Sequence, residues 1–250
     1  NPYYLQMTMF IIINAILGLS MYLTMSTGQL SLGAAGFMSI GAYVSALLTM
    51  KGGLPLYLAV PIGGAAACLL AAVIGLPTTR LRGIYLAIAT LGFGEVVRVV
   101  ILNLKVTNGA LGLSGIPSMS IMLSKLFAAM GLADGLGALS VRQLGNLSVI
   151  AILAALLVAL ILFSVRLNNS RLGRAFAAIK ADEYAAEVSG IDTRYYKLLA
   201  FFMGAFVAGV AGGLAAHITF FIGPKDFAYH RAVEILLFAV LGGSDTVWGP

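Results

Sequence analysis

One stretch of the sequence limits the possible folds more than any other. Residues 147–165, LSVIAILAALLVALILFSV, run for 19 positions without a single charged side chain. A helix of about 20 apolar residues is long enough to cross the hydrocarbon core of a bilayer. We therefore predict a transmembrane helix over this stretch.

The rest of the chain also has the composition of a protein that is solvated by lipid. Of its 250 residues, 60% are hydrophobic and 10% are charged, whereas a soluble domain has about 25% charged residues. Repeated short alternating segments, which would indicate a transmembrane barrel, are missing. The predicted fold class is therefore all-α: a polytopic bundle of transmembrane helices that forms one domain over 1–250. Further apolar runs predict helices near 5–25, 54–76, 84–104, 198–222 and 232–243.

Several classes of function are excluded by what the sequence lacks. Net charge is +6, but the basic residues are spread over loops, which is typical of membrane proteins rather than of a nucleic-acid interface. Cys68 is the one cysteine, and His217 has no second histidine or cysteine near it in sequence, so we expect no metal and interpret His217 as a packed polar residue. There is no phosphate-binding loop and no set of catalytic side chains, so we expect no cofactor and no enzymatic activity.

The distribution of the basic residues predicts an orientation. The segments 77–83 and 166–197 together carry eight lysines and arginines, which favours the cytoplasmic side for both. The segment 105–146 then becomes a long external connection. Within it, SMSIMLSKLFAAM has the pattern of a short helix lying on the membrane surface.

Residues 28–50, GQLSLGAAGFMSIGAYVSALLTM, differ from the other apolar runs because glycine alternates with serine and alanine. Small residues of this kind allow a helix to pack tightly against its neighbours, and they also occur where a helix is broken within the membrane. Close packing and a role in lining a transport pathway remain equally open. Ser31 and Ser39 are the pathway candidates in this segment.

The segment 172–192, LGRAFAAIKADEYAAEVSGID, is polar and helical in a sequence that otherwise avoids charge. Its apolar residues fall on one helical face, Asp182 is placed to cap a second short helix, and Gly190 is placed to end that helix. Asp192 can cap the next transmembrane helix. We expect Arg174 and Glu183 to be exposed. The segment is either a connector at the membrane surface or a docking element for a soluble partner.

Three charged residues lie within apolar runs. Glu95 is about 16 Å along its predicted helix at 1.5 Å per residue, and Arg98 is three positions later, on the same face. Because a lone charge in the membrane is costly, we predict that Glu95 faces the protein interior and hydrogen-bonds to Arg98 or another polar group. The pair is either structural or part of a transport pathway. Glu234 is predicted at the start of the last helix, where an acidic residue is tolerated.

Five ordered segments carry a resemblance to a known family: 28–43, 79–98, 107–117, 172–201 and 234–250. Together they resemble the permease subunits of branched-chain amino-acid ABC importers of the LivM type, in which such chains continue beyond the WGP at 248–250. The resemblance implies a permease in a bacterial inner membrane, with a homologous second permease, two ATP-binding subunits and an external substrate-binding protein as partners. It also implies that 166–197 couples to the ATP-binding subunits. The candidate coupling residues are Arg171, Gly173, Arg174, Lys180, Asp182, Glu183, Ala185, Ala186 and Gly190.

Two alternatives remain at this point. The same architecture could import urea or short amides instead of branched-chain amino acids. The chain could also be an ion-coupled secondary transporter with Glu95 as the coupling carboxylate. A membrane enzyme is a weaker third alternative, because the polar residues within the apolar runs do not form an acid, a base and a nucleophile.

Overall fold

The computed structural model describes residues 2–78, 81, 83–129, 141–243, 246, 247 and 249. Within this part of the chain five helices are long and apolar enough to cross a membrane. They span Tyr3–Met25, Leu56–Thr78, Ile84–Asn103, Gln143–Asn168 and Thr193–Thr219. The predicted all-α polytopic bundle is confirmed.

The described residues form ten α-helices and one pair of two-residue strands. The helices are α1 (Pro2–Met25), α2 (Ala34–Met50), α3 (Leu56–Thr78), α4 (Ile84–Asn103), α5 (Met119–Ala129), α6 (Val141–Asn168), α7 (Arg171–Ala181), α8 (Glu183–Val188), α9 (Thr193–Thr219) and α10 (Tyr229–Gly242). The strands β1 (Leu113–Ser114) and β2 (Phe221–Ile222) pair in antiparallel fashion, with Leu113 opposite Ile222.

Helix α9 is the centre of the bundle and packs against α1, α2 and α3. The backbones approach closely because glycines meet at the crossings: a Cβ on Gly41 would collide with the carbonyl of Gly209, and one on Gly212 would collide with the carbonyl of Met38. Small residues at such crossings give the van der Waals contact that holds membrane helices together. The glycine-rich segment therefore forms a tightly packed helix. This agrees with the close-packing interpretation of residues 28–50.

The two ends of the bundle carry different structures. At one end, which we call the α7 end, Gly75 near the end of α3 approaches Leu198 near the start of α9. The end of α3 and the segment 169–192, which holds α7 and α8, therefore lie at the same end. Arg80 and Arg82 are outside the described residues. The other end, called the β end, holds the β1–β2 pair, and there Lys51 donates a hydrogen bond to the carbonyl of Val106 at 3.5 Å.

Two helices begin in the middle of the bundle instead of at an end. Just before α2, the backbone N–H of Leu32 donates to Oγ1 of Thr90 at 2.9 Å, well inside α4. At the start of α10, the N–H of Tyr229 donates to Oε1 of Glu95 at 3.0 Å, also near the middle of α4. From there α2 runs to the β end and α10 runs toward the α7 end. The glycine-rich region is thus tightly packed, and its helix begins partway along α4 instead of at an end of the bundle.

Three boundaries differ from the predicted ones. Helix α6 begins at Val141, so the predicted connection 105–146 overlaps its first residues. Helix α5 covers most of the predicted surface helix. It does not lie alone but packs against α6, so closely that a Cβ added to Gly145 would contact Ser120. Helix α10 begins at Tyr229, which puts Glu234 in its second turn and not at its start.

Candidate functional site

Helix α7 is held to the bundle by its apolar face. Ser170 caps the helix, since its Oγ accepts a hydrogen bond from the N–H of Gly173 at 3.2 Å. The buried side chains are Ala175, Phe176 and Ile179, and the ring of Phe176 meets that of Tyr196 in α9 edge to face, with 6.2 Å between centroids. The predicted apolar face is confirmed. It attaches α7 to its own chain and leaves the opposite face open.

Gly173 makes the sharp turn from α6 into α7 possible. A Cβ at this position would collide with the carbonyl oxygen of Leu167 and with the backbone of Asn168. Any larger residue would push α7 away from the end of α6. Gly173 therefore sets the angle of the surface helix, which is a structural role within the candidate coupling segment.

Helix α8 has the start and the stop that the sequence predicts. Oδ1 of Asp182 accepts from the backbone N–H groups of Tyr184 at 2.8 Å and Ala185 at 3.1 Å, which satisfies donors that the helix leaves unpaired. Gly190 follows the helix with a φ of 84°, a conformation that favours glycine. Asp192 caps α9 through the N–H of Tyr195 at 3.1 Å. All three predicted caps are confirmed.

Two residues of the candidate coupling set are turned inward, contrary to the expectation for Glu183. Oε2 of Glu183 lies 2.6 Å from Nζ of Lys197 in α9, and the two side chains are only 20% and 7% exposed. Ala186 is buried on the same side of α8. The expectation that Glu183 is free at the surface is wrong, because a lysine one turn into α9 needs an anionic partner where it is buried. Glu183 and Ala186 fasten α8 to α9.

The outward face of α7 and α8 combines charge with exposed apolar side chains. Val188 is 91% exposed and Tyr184 is 66% exposed. The remaining exposed members of the candidate set are Arg171, Arg174, Lys180, Asp182, Ala185 and Gly190. We call this set, together with Tyr184 and Val188, the coupling surface. Large apolar side chains that are exposed at the end of a bundle are typical of a protein–protein contact with charges around it. The sequence analysis did not single out Tyr184 and Val188.

Within the bundle, the predicted pair between Glu95 and Arg98 is confirmed. Oε2 of Glu95 accepts from Nε of Arg98 at 2.7 Å, and both side chains are partly buried. The other carboxylate oxygen accepts from the backbone of Tyr229. Ala228 precedes α10 and has no side-chain oxygen, so Glu95 supplies the cap for α10 from another helix. The sequence gives no local signal for this long-range cap.

A second charged pair lies at the same depth. Nη1 of Arg231 is 2.9 Å from Oε2 of Glu234, and Nη2 of Arg231 is 2.6 Å from Oδ1 of Asn14, near the middle of α1. These residues border a cavity of about 460 Å³ that extends from the β end, at Thr219, to the middle of the bundle. Sequence reasoning found Glu234 but missed Arg231 and Asn14.

The two serines predicted as pathway candidates are buried in packed regions. Ser31 borders a space of only about 10 Å³, roughly the volume that one water molecule needs. Ser39 is buried inside α2, at the crossing with α9. His217 is also buried, with Nδ1 at 2.7 Å from the carbonyl of Gly213 and Nε2 at 3.1 Å from Oγ1 of Thr49. The interpretation of His217 as a packed polar residue is confirmed.

Comparison with known proteins then decides the family. Residues 3–250 match the family model described as the permease component of the branched-chain amino acid transport system. The chain belongs to this permease family. It is 38% identical over 238 residues to the high-affinity branched-chain amino acid transport system permease protein LivM of Escherichia coli (strain K12) and, likewise, to LivM of Salmonella typhimurium.

Each of these two matches covers 92% of this chain and 54% of the relative, so the permease chain described here spans about half the length of the curated relatives it matches. No solved structure matches it. The resemblance noted from the sequence is confirmed.

Family membership favours neither the ion-coupled carrier nor the importer of urea or amides. Both oxygens of Glu95, the residue on which the carrier depended, are already occupied by protein donors.

Two segments that carry the family resemblance meet in this permease. The backbone and side chain of Lys180, at the end of α7, lie against Gly28 in the loop between α1 and α2, where a Cβ on the glycine would be 3.5 Å from Cα of Lys180. Gly28 has a φ of 74°. That loop leads directly into α2, which begins in the middle of the bundle. The coupling surface is thus in contact with the loop that enters the membrane.

Proposed function

We propose that this chain is a membrane-spanning permease subunit of an ABC importer for branched-chain amino acids. The observation that carries the proposal is the match of residues 3–250 to the permease component of the branched-chain amino acid transport system. The names of the two relatives describe the same activity for those proteins. In this proposal the chain is not itself an enzyme, and separate subunits hydrolyse ATP.

The partners follow from the same proposal. They are a homologous second permease, two ATP-binding subunits and an external substrate-binding protein, in a bacterial inner membrane. The coupling surface supports the contact with the ATP-binding subunits, because Tyr184 and Val188 offer exposed apolar contact and the surrounding charges can fix the orientation of a partner. The contact between Lys180 and Gly28 provides a path by which movement at this surface reaches α2.

The orientation in the proposal puts the α7 end in the cytoplasm and the β end outside. Two exposed residues test it: Val188 at the α7 end and Leu111, 82% exposed, at the β end. In a background in which Cys68 is replaced by serine, Val188→Cys in intact cells should resist a membrane-impermeant maleimide, and Leu111→Cys should react. The opposite pattern would invert the orientation.

The coupling role is tested by making Val188 charged. Because Val188 is almost fully exposed, Val188→Asp should leave the fold intact, with a change in stability of about 0.5 kcal/mol or less. The added carboxylate would lose its hydration when the ATP-binding subunits dock, and this cost should weaken their co-purification with the permease. ATP-dependent leucine uptake should fall by at least about tenfold. Leu111→Asp is the matched control at the β end. If Val188→Asp assembles and transports like the parent, α7 and α8 are a connector.

Arg174→Glu gives a second, independent test of this surface. Arg174 is exposed and makes only a 3.4 Å hydrogen bond, from Nη1 to the carbonyl of Asn169, so its reversal should spare the fold. If it faces an acidic partner, the loss of assembly should depend on salt concentration, unlike that of Val188→Asp. Lys105→Glu, which reverses an exposed cation at the β end, is the control. Equal salt dependence in all three variants would contradict a specific contact.

A further inference from the structure

The start of α10 presents polar side chains at a depth where lipid cannot accommodate them. The guanidinium of Arg231 reaches Asn14, which lies near the middle of α1, and the N–H of Tyr229 reaches Glu95 near the middle of α4. At this depth Glu234 is 54% exposed. A carboxylate in the middle of a bilayer is costly, so it must face water or protein. This part of the molecule therefore faces an aqueous space or a partner, and not the lipid.

The cavity at this position has the size and lining of a small-molecule site. Its volume of about 460 Å³ falls within the range of about 300–1,000 Å³ that is usual for small-ligand pockets. Four charged residues line the cavity: Arg231 and Glu234 on α10, and Lys225 and Asp226 in the segment before α10. Apolar surface is contributed by Phe10, Ile13 and Met38. A charged pair beside an apolar wall is the pattern expected for a ligand with a charged end and an apolar end.

The arginine at this cavity is held in a fixed orientation. Asn14 from α1 and Glu234 from α10 each accept one hydrogen bond from a different terminal nitrogen of Arg231, at 2.6 Å and 2.9 Å. A guanidinium has five N–H donors, so donors remain for a ligand. Glu234 likewise keeps a second carboxylate oxygen and much of its surface exposed. The pair is oriented by protein contacts and is not saturated by them.

A zwitterionic amino acid with an aliphatic side chain matches this arrangement. Its α-carboxylate is the anion that an arginine fork binds through paired hydrogen bonds. Its α-ammonium is the cation that a carboxylate binds, and both groups are attached to one carbon, as Arg231 and Glu234 are attached to one helix turn. The side chain would lie on Phe10, Ile13 and Met38. Urea or a neutral amide carries no opposite charge for either group and could form only hydrogen bonds with them.

We propose that this cavity is a binding station for the transported amino acid within the membrane, with Arg231 binding the α-carboxylate, Glu234 binding the α-ammonium, and α1 and α2 providing the apolar wall. The proposal rests on the proposed function and adds the position and chemistry of the site. Because the cavity begins at the β end and reaches the middle of the bundle, it is placed to receive the amino acid from the side where the substrate-binding protein is proposed to dock.

The test uses leucine that carries a diazirine in its side chain, supplied with the binding protein to the complete transporter in proteoliposomes. After irradiation, mass spectrometry should place adducts on Phe10, Ile13 or Met38. Glu234→Gln and Arg231→Gln should each lower the adduct yield and leucine uptake by at least about tenfold, the loss expected for one charge-assisted hydrogen bond. Ala155→Val, at an exposed position on α6 outside the segment 166–197, should change neither.

A charge swap separates a binding pair from a structural pair. Arg231→Glu combined with Glu234→Arg retains an ion pair across the same helix turn but exchanges the positions of the charges. We expect the swapped transporter to assemble normally and still to lose uptake and adducts. Full recovery of uptake by the swap would show that the pair is only structural and would overturn the proposal.

The remaining outcomes separate this proposal from the function on which it rests. If the parent transporter imports leucine in an ATP-dependent manner but carries no adduct at the cavity, the binding station is wrong and the proposed function stands. Adducts on the second permease and not on this chain would also show that the binding station is wrong while the proposed function stands. The cavity would then be occupied by the second permease. If the assembled parent does not import leucine at all, both the proposed function and the binding station are wrong.

Discussion

Helices α6 and α9 are both long enough to cross a membrane, yet they are used in opposite ways. Helix α6 has the highest mean hydropathy of the five candidate spans, and only 17% of its most apolar window is buried in the protein. Helix α9 is less hydrophobic, and 72% of its window is buried. It carries glycines where α6 carries leucines. In a bilayer the hydrophobic effect does not drive helices to associate, because lipid solvates leucine as well as the protein interior does.

The comparison shows what makes a core in this protein. A close approach of backbones at Gly41, Gly209 and Gly212 brings α9 directly against α2. By contrast, the exposed Leu147, Leu162 and Phe163 of α6 meet lipid or another subunit. The helix most easily recognised as transmembrane is therefore the least buried of the five candidate spans, and it packs on α1, α5 and α7.

The largest effect is expected from Gly212→Val in α9. The added side chain would collide with the backbone of Met38 in α2, and neither backbone can move without separating the two helices. We expect a loss of more than about 3 kcal/mol, the upper end for overpacking, and no folded protein by size-exclusion chromatography after extraction. Ala155→Val, at an exposed position on α6, should leave the yield unchanged. Equal yields of both variants would contradict the contrast between the two helices.

A second matched pair removes one phenylalanine from each helix. Phe201 in α9 is fully buried and meets Phe37 edge to face, with 5.4 Å between centroids, whereas Phe163 in α6 is exposed. Phe201→Ala should destabilise the protein by about 3–5 kcal/mol because it leaves a cavity. Phe163→Ala should cost about 0.5 kcal/mol or less in the isolated chain. Thermal unfolding in detergent measures both, and a similar midpoint for the two variants would count against the burial described here.

Charge removal at the ends of the two helices should give a smaller difference. Lys197→Met removes the ammonium that lies 2.6 Å from the carboxylate of Glu183 and should loosen α8, at a cost of about 2 kcal/mol, because Glu183 is largely buried. Arg166→Met, in the last turn of α6, removes an exposed cation and should change stability by about 0.5 kcal/mol or less. Faster proteolysis between α7 and α9 in Lys197→Met alone would confirm the difference. An unchanged rate would show that the ion pair does not hold α8.

The smallest effect is expected for Leu162→Trp, on the exposed face of α6. A larger apolar side chain there meets lipid, so the unfolding midpoint should be unchanged within about 0.5 kcal/mol. The tryptophan fluorescence should be quenched by brominated lipids in the isolated permease. Loss of that quenching after assembly would sharpen the comparison, since it would show that this face of α6 contacts another subunit.

Local features of α7 and α8 were predictable from the sequence. Ser170 was not singled out, but Asp182, Gly190 and Asp192 were each placed correctly, because a cap depends on backbone groups two or three residues away. The Glu95–Arg98 pair was predictable for the same reason, since helix geometry puts residues three apart on one face. The inward position of Glu183 was not, because its partner is 14 positions away and across a turn.

By itself the sequence determined that this protein is a multi-pass bundle of helices, with its spans, its polar surface segment and its family. Those properties follow from local hydrophobicity, helix periodicity and ordered motifs, all of which are read within one segment at a time. Only the tertiary structure decided that α2 and α10 begin in mid-bundle, that Glu95 caps α10, and that Arg231 meets Asn14 beside a cavity. Each depends on which helices become neighbours. Glycine-rich stretches show which helices can pack closely, but they do not identify the partner helix.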